Sequence, residues 1–419
     1  MATTKTSPNL APSRPLPPAP PSATTAGLPG SSPSSRLLSL DALRGFDMCW
    51  ILGLDAIFRG VARHLKQVEW VPENVKTTVL DPIIGQLDHV QWHGLACYDL
   101  IFPLFLFLSG VSMAISVSRR QAQFGTASAL RHLIFRAVLI CIIGVIYSGG
   151  LNKVTWGTTD LESGINTIRF MGVLQRIGIA SAVAGILSLW LGWRGLTVAL
   201  IAILAGYWAM MTQIPVPEVG KGNLDPEKNF ANYLDKLYLI GRKYPEGATH
   251  DPEGILSTLP AIGTALLGLL SGKWLFGTAS PGKKVIGLFL TGAVLAGVAW
   301  VWHANPAGWE WFPTFPINKK IWTSSFVLVA GGISMMMLAL FYAVIDVAGF
   351  KLWATPFVWV GANCIALYIA SGMGAFRGVA ARLTGTVPSP WTWIPPLVAF
   401  LLMLATARFL YLRSIFIRI

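Results

Sequence analysis

Charge is scarce in this chain. Asp, Glu, Lys and Arg supply 12% of its 419 residues, about half the share of an ordinary soluble protein. That deficit excludes a solvated surface over most of the chain. With 53% hydrophobic residues and a mean hydropathy of +0.58, it places the chain among membrane proteins. Acid is the scarcer sign: 19 Asp and Glu stand against 32 Lys and Arg, for a formal charge of +13. No basic helix or aromatic–basic motif accompanies the excess, so we read no nucleic-acid partner and assign the charge to loops facing anionic lipid. Cysteine is nearly absent. Cys49, Cys97, Cys141 and Cys364 lie in or beside apolar runs, form no CxxC pair or disulfide framework, and act as small apolar packers.

Residues 1–36 are rich in Pro, Ser, Thr and Ala and poor in large apolar residues. Such a segment cannot bury a core and is expected to be a disordered tail. It lacks the basic-then-apolar order of a signal peptide, so the first apolar span should be retained.

What the rest contains is apolar runs. About ten segments reach the ~20 residues that cross a bilayer, near 41–60, 98–118, 131–150, 170–191, 195–212, 255–276, 284–303, 322–346, 353–374 and 393–414. The fold expected is all-α: a polytopic membrane protein over 37–419, in contact with a lipid bilayer. The loops at about 61–97, 151–169, 213–254 and 304–321 then share one side. The short turns with Arg119, Arg120, Arg131, Arg194, Lys273, Lys283 and Lys284, and both termini with Arg413 and Arg418, share the other. The positive-inside rule makes that second side cytoplasmic. The 17 Trp suit headgroup level.

Against this apolar background the titratable groups stand out. DHVQWHGLACYDLIFPLFLFLSG, residues 88–110, enters a span with His89 and His93 four apart. On a helix they would share a face. Three readings compete: interfacial hydrogen bonding, a metal site with Asp88 or Asp99, or acid–base chemistry by one imidazole. Asp47 and Asp55 lie within the first apolar segment, where an acid is costly unless it faces a cavity or partner. Asp55 sits at the depth of His89. Arg44, three residues from Asp41, is either a local ion pair or an anion-binding group at the inner mouth. Arg136 and Arg176 sit in apolar surroundings, and the planar guanidinium suits phosphate or carboxylate; for Arg136 snorkelling competes. Asp251 and Glu253, in DPEGILSTLPAIG, either favour a helix N-terminus or bind a cationic or hydroxyl-rich ligand. Asn318 and Lys319, in FPINKKIWTSS, come to the outer end of a span, and Asn363 is a polar group in mid-span that could join helices.

Taken in order, RLLSLDALRGF, HVQWHGLACYDLIFPLFLFLSGVS, RFMGVLQRIGIA, DPEGILSTLPAIGTALLGLLSG, PINKKIWTSSFV and PFVWVGANCIALYI resemble the heparan-α-glucosaminide N-acetyltransferase family and its bacterial relatives, from about residue 36 to 419. The resemblance implies an acyltransferase domain in which acetyl-CoA enters from the cytoplasm and an acetyl group reaches an amino sugar on the far side, with no metal. The family's active histidine opens an H-x-x-W-x-G-L pattern, which maps to His89 with Trp92 beside it. An Asn of the family aligns with Asp55, which could orient or charge-stabilise His89. Trp92, Asp251, Glu253, Asn318 and Lys319 would serve the acceptor; Arg44, Arg136, Arg176 and Asn363 would serve the donor. The extra luminal domain and first span of the animal enzyme are not found, which points to a bacterial inner-membrane relative, and the resemblance implies homodimers. A proton-coupled sugar transporter using His89 and Asp55 is the competing reading.

Overall fold

In hydrocarbon a backbone must satisfy its own N–H and C=O groups, and helices do so within one segment. The computed structural model describes residues 37–149, 168–245, 248–306, 308 and 314–417. The tail at 1–36, most of the 151–169 loop and Arg418 lie outside the described residues. Among those described, every regular element is helical and pairing of strand type is confined to isolated bridges, Arg169 with Gly241 and Val216 with Gly220.

The main helices are α1 (Leu38–Cys49), α2 (Asp55–Gln67), α3 (Ile101–Tyr147), α4 (Val173–Trp190), α5 (Trp193–Gln213), α6 (Phe230–Tyr238), α7 (Thr258–Leu275), α8 (Pro281–Ala304), α9 (Ser324–Phe341), α10 (Thr355–Ala362), α11 (Cys364–Gly372), α12 (Ala375–Thr384) and α13 (Ile394–Leu412). Among the described residues, 6 helices are long and apolar enough to cross a membrane, or 7 if one bent pair counts as a span.

This number differs from the expected ten because α3 enters it as one helix and broken segments are left out, and particular residues shape those segments. The segments at 98–118 and 131–150 are the two arms of α3, which leaves helical geometry at Gly125 (φ 79°, ψ 167°); a Cβ on Gly185 would lie 3.3 Å from Met113 and 2.9 Å from Leu133, so the arms run side by side. The segment at 41–60 is broken: a π-turn, Trp50–Leu54, separates α1 from α2, and Gly53 at φ 138° leaves the helical region. The segment at 255–276 becomes α7, whose Gly, Ser, Thr and Lys dilute its apolar character. The segment at 353–374 bends by 67° at Asn363, between α10 and α11.

Helices in lipid gain no solvent-driven push toward one another, so close packing holds them. Gly45 of α1 faces Gly361 of α10. A Cβ on Gly45 would lie 1.7 Å from Phe357 O, and one on Gly361 would lie 1.9 Å from Asp41 O. Gly110 of α3 and Gly268 of α7 repeat the device: their added Cβ atoms would lie 2.1 Å from Ala265 O and 1.9 Å from Phe107 O. Both crossings are backbone against backbone, and neither has room for a methyl group.

Gly268→Ala should therefore lower the thermal midpoint in detergent, at a cost of about 1–3 kcal/mol for an overpacked contact. Gly206→Ala is the comparison, because nothing lies within 4 Å of its added Cβ. It should leave the midpoint unchanged or raise it, since alanine is the better helix former. Equal behaviour of the two variants would contradict the close-packing account.

Candidate functional site

Residues 88–96 are not helical, so the expectation that His89 and His93 share a helix face does not hold. They diverge instead: His93 Nδ1 lies 3.3 Å from Asn318 Nδ2, whereas His89 turns to Asp99.

Asp99 opens the short 3₁₀ turn Cys97–Leu100 that leads into α3. Its Oδ2 accepts the backbone N–H of Ala96 at 3.1 Å and of Val90 at 3.4 Å. The first contact is half of a capping box, and it places an acid where the helix N-terminus favours one. The other oxygen, Oδ1, stands 2.7 Å from His89 Nδ1 and 3.2 Å from Lys319 Nζ. Lys319 Nζ is also 3.1 Å from His89 Nδ1. An ammonium has no lone pair and Asp99 is acceptor-only when ionised. The consistent proton arrangement has Nδ1–H and Lys319 both donating to Oδ1. His89 Nε2 is then the ring nitrogen left to accept a proton. Asp99 has a side-chain exposure of 3% and His89 of 53%, so the carboxylate is sealed and the imidazole is open. Burial pushes the Lys319 ammonium below the usual lysine range, and the Asp99 charge opposes that shift.

His89, Tyr98, Lys319 and Glu253 form the polar end of a cavity of about 210 Å³. The remaining wall is apolar and includes Met48 and Ile51 beside the Gly53 break, Phe105 of α3, and Ile365 and Tyr368 beyond the Asn363 break. The cavity thus sits where two helices are interrupted.

The expected acceptor residues separate on inspection. Glu253 and Lys319 reach the cavity. Asp251 is fully taken by Arg169, whose Nε and Nη2 donate to it at 3.0 and 2.7 Å, and Arg169 also bonds Glu253 at 2.7 Å. Trp92 donates its indole N–H to Leu224 O at 2.9 Å and packs beside Tyr207 and Phe315, away from the cavity wall. Asn318 is wholly buried and accepts the N–H groups of Lys320 and Ile321 at 2.8 and 3.2 Å, shaping the turn that presents Lys319.

The expected donor residues also separate. Arg44 donates to Ser112 and lies 3.5 Å from Asp41. It is one helical turn beyond Met48, toward the end of the cavity remote from His89. Arg136 is within electrostatic range of Arg44, and its Nε is buried without a hydrogen-bond partner among the described residues. Arg176 is elsewhere. It is completely buried beneath the Asp251–Gly254 turn, donates to Pro252 O at 2.8 Å and Ser257 Oγ at 2.5 Å, and lies 4.9 Å from the Trp322 ring. Asn363 donates to Ile415 O at 3.0 Å and accepts Ile417 N–H at 2.8 Å, so it ties the helix bend to the end of the chain.

Asp55 bonds Arg59 and accepts the Tyr98 hydroxyl at 3.2 Å. It does not touch His89; the carboxylate that does is Asp99. Sequence reasoning weighed Asp99 only as a metal ligand and passed over Arg59, Tyr98, Arg169 and Tyr368. The available signal was an acid placed where an imidazole-bearing loop enters a span.

Together the helices and this site define a polytopic helical membrane protein with an imidazole–carboxylate pair at the mouth of a broken-helix cavity. Residues 36–295 match the family described as heparan-alpha-glucosaminide N-acetyltransferase, catalytic, and the chain belongs to that family. Among similar proteins, the human heparan-alpha-glucosaminide N-acetyltransferase is 29% identical over 330 residues, covering 67% of this chain and 48% of that protein. The mouse protein of the same name is 28% identical over 334 residues, with the same coverage. The chain spans about half the length of the relatives it matches.

Asp235 supports the turn that carries Glu253. Its Oδ1 accepts Ile255 N–H at 2.9 Å, and a Cβ on Gly254 would lie 1.9 Å from Oδ2. Burial pushes its carboxyl up to about 6. A raised folded-state value means the native protein holds the proton that the unfolded chain has lost. Stability from this group is therefore fully present below pH ~4 and lost as pH rises through about 6, by about 3 kcal/mol. Thermal midpoints measured from pH 4 to 7 should fall in this window for wild type and fall less for Asp235→Asn. Parallel curves would refute the assignment.

Proposed function

We propose that this chain is a membrane-embedded N-acetyltransferase that moves an acetyl group from cytoplasmic acetyl-CoA to an amino sugar of glucosamine type at the outer face. One observation carries this reading: Asp99 holds His89 Nδ1, and His89 lines a cavity whose wall includes Met48, one helical turn from Arg44. The names of the family and of the human and mouse relatives support the reaction type.

In this reading His89 is the general base. Its Nε2 takes a proton from the acceptor amine as the nitrogen attacks the thioester carbonyl. The C–N bond forms, the C–S bond breaks, and the proton passes from Nε2 to the departing sulfur. Asp99 keeps the imidazole in the tautomer this requires and stabilises the imidazolium that forms, the role a buried Asp plays beside a catalytic His. Such proton transfer contributes about 10²–10⁴-fold. Lys319 lines the same cavity and supplies positive charge where the carbonyl oxygen becomes negative. Glu253 faces the acceptor and binds its ammonium or hydroxyls. Arg44 and Arg136 suit the donor's phosphates: both are cations remote from the His89 end, and Arg136 Nε lacks a partner. The apolar wall between them suits the slender arm that joins the phosphates to the thioester. We place the protein in a bacterial inner membrane with both termini cytoplasmic.

The test uses protein in nanodiscs, acetyl-CoA labelled on the acetyl group, and a panel of amino sugars. Wild type should label a sugar, and His89→Ala and Asp99→Asn should each lose about 10²–10⁴-fold in kcat. Arg44→Ala should raise the KM for acetyl-CoA and leave kcat nearly unchanged, since it removes binding shared by ground and transition states. Sugar uptake into proteoliposomes without acetyl-CoA, and no labelled product, would establish the transporter reading instead.

A further inference from the structure

We propose that Arg59 is a positioning residue, and that it fixes the His89 imidazole through a closed ring of contacts separate from the Asp99 hydrogen bond. The inference rests on the acetyl-transfer reading for its kinetic test only; the geometry stands by itself.

His89 sits on irregular backbone, so its position must be supplied by other elements. Asp99 and Lys319 secure Nδ1. Separately, Arg59 reaches out of α2 with two prongs. Nη1 donates to Asp88 Oδ1 at 2.6 Å, and Nη2 donates to Asp55. Asp88 precedes His89 in the chain, so this contact holds the backbone that carries the imidazole. Asp55 accepts the Tyr98 hydroxyl at 3.2 Å, and the Tyr98 ring lies 4.8 Å from the His89 ring. The Arg59 guanidinium also stands 5.7 Å from the Tyr98 ring centre. The path His89–Asp88–Arg59–Asp55–Tyr98–His89 closes on itself. Arg59 is its keystone, because only a planar fork reaches both carboxylates in fixed geometry.

Energetics separate positioning from stability here. Asp88 is 51% exposed and Arg59 24%, and an ion pair so open to water adds little to folding. Displacing a reacting group by about 1 Å, however, can cost 10²-fold in rate. The outer pair therefore matters for where the imidazole sits rather than for whether the chain folds. Asp55 is different: its side chain is only 9% exposed, so it needs a cation nearby. Arg59→Lys respects this, since it keeps a charge for Asp55 but cannot span both acids.

The experiment measures Arg59→Lys, Asp88→Asn and the double variant in nanodiscs. Each single variant should lose roughly 10–100-fold in kcat, with the KM for acetyl-CoA within about two-fold and a thermal midpoint within a few degrees of wild type. The double variant should lose no more than the worse single, because both changes cut one link. Multiplying losses would overturn the proposal, as would wild-type kcat in Arg59→Lys. An activity-independent arm uses protein labelled with ¹³C,¹⁵N-histidine, with His89 assigned by its loss in His89→Gln. Arg59→Lys should broaden or split the His89 ring signal while leaving His64 unchanged. An unaltered His89 signal would overturn the positioning role even if no acceptor had yet been found. If Arg59→Lys failed to fold, Tyr98→Phe would cut the same ring by one hydroxyl; the expected result is the same change at His89, and no change would refute the ring.

Discussion

The buried carboxylate of Asp99 is the contact on which the site depends. Its two oxygens serve different parts of the molecule. Oδ2 receives backbone N–H groups and fixes where the span beginning at Ile101 starts. Oδ1 receives the imidazole and the lysine. A carboxylate removed from water is tolerable only with such partners, so its burial enforces all of them together. The imidazole thereby inherits its position from the end of a rigid helix, although it stands on a loop. A loop alone would leave that nitrogen loosely placed, and rigid support is what the proposed proton transfer over hydrogen-bond distance would need.

The cavity beneath this contact follows from two helix interruptions brought face to face. Gly53 and Asn363 break their spans, and irregular backbone at membrane depth is tolerated only where protein or a cavity covers it. The Gly45–Gly361 crossing lies just beyond both breaks. Because it admits no side chain, it presses α1 and α10 together and aligns the interruptions across the gap. Met48 and Ile51 then face Ile365 and Tyr368. The polar groups are confined to one end of that gap and the arginines Arg44 and Arg136 lie beyond the other. This division of polarity is what the proposed approach of donor and acceptor from opposite sides would use.

Much of this was legible in the sequence, and the residues that were not share a cause. Apolar runs announced the helices, and an acid or imidazole at the end of a run announced His89, Glu253 and Lys319. Hydropathy measured along the chain could not say that Gly53 interrupts the first span or that the 353–374 segment bends at Asn363. Asp55 was placed at the right depth but given the wrong neighbour, because depth does not reveal direction around a helix. Arg176 looked like an anion binder since a lone cation among apolar residues has no visible partner in one dimension. Its partners are a backbone carbonyl, a serine and the face of Trp322, and none of these has a signature in the sequence.

Each acid named at the outer end has a cation beside it, and that pairing constrains what the site can do. Asp99 is matched by Lys319, Asp55 and Asp88 by Arg59, and Asp251 by Arg169. Glu253 lies against Arg169 and feels the buried charge of Arg176. Asp99, Asp55 and Asp251 are buried, so breaking one of their pairs strands a carboxylate away from water. A reaction that moved charge onto any of these groups would have to undo a pair. His89 Nε2 carries no such commitment. It can take a proton while Asp99 already stands behind it, so the imidazole can cycle between proton states while every ion pair around it stays intact.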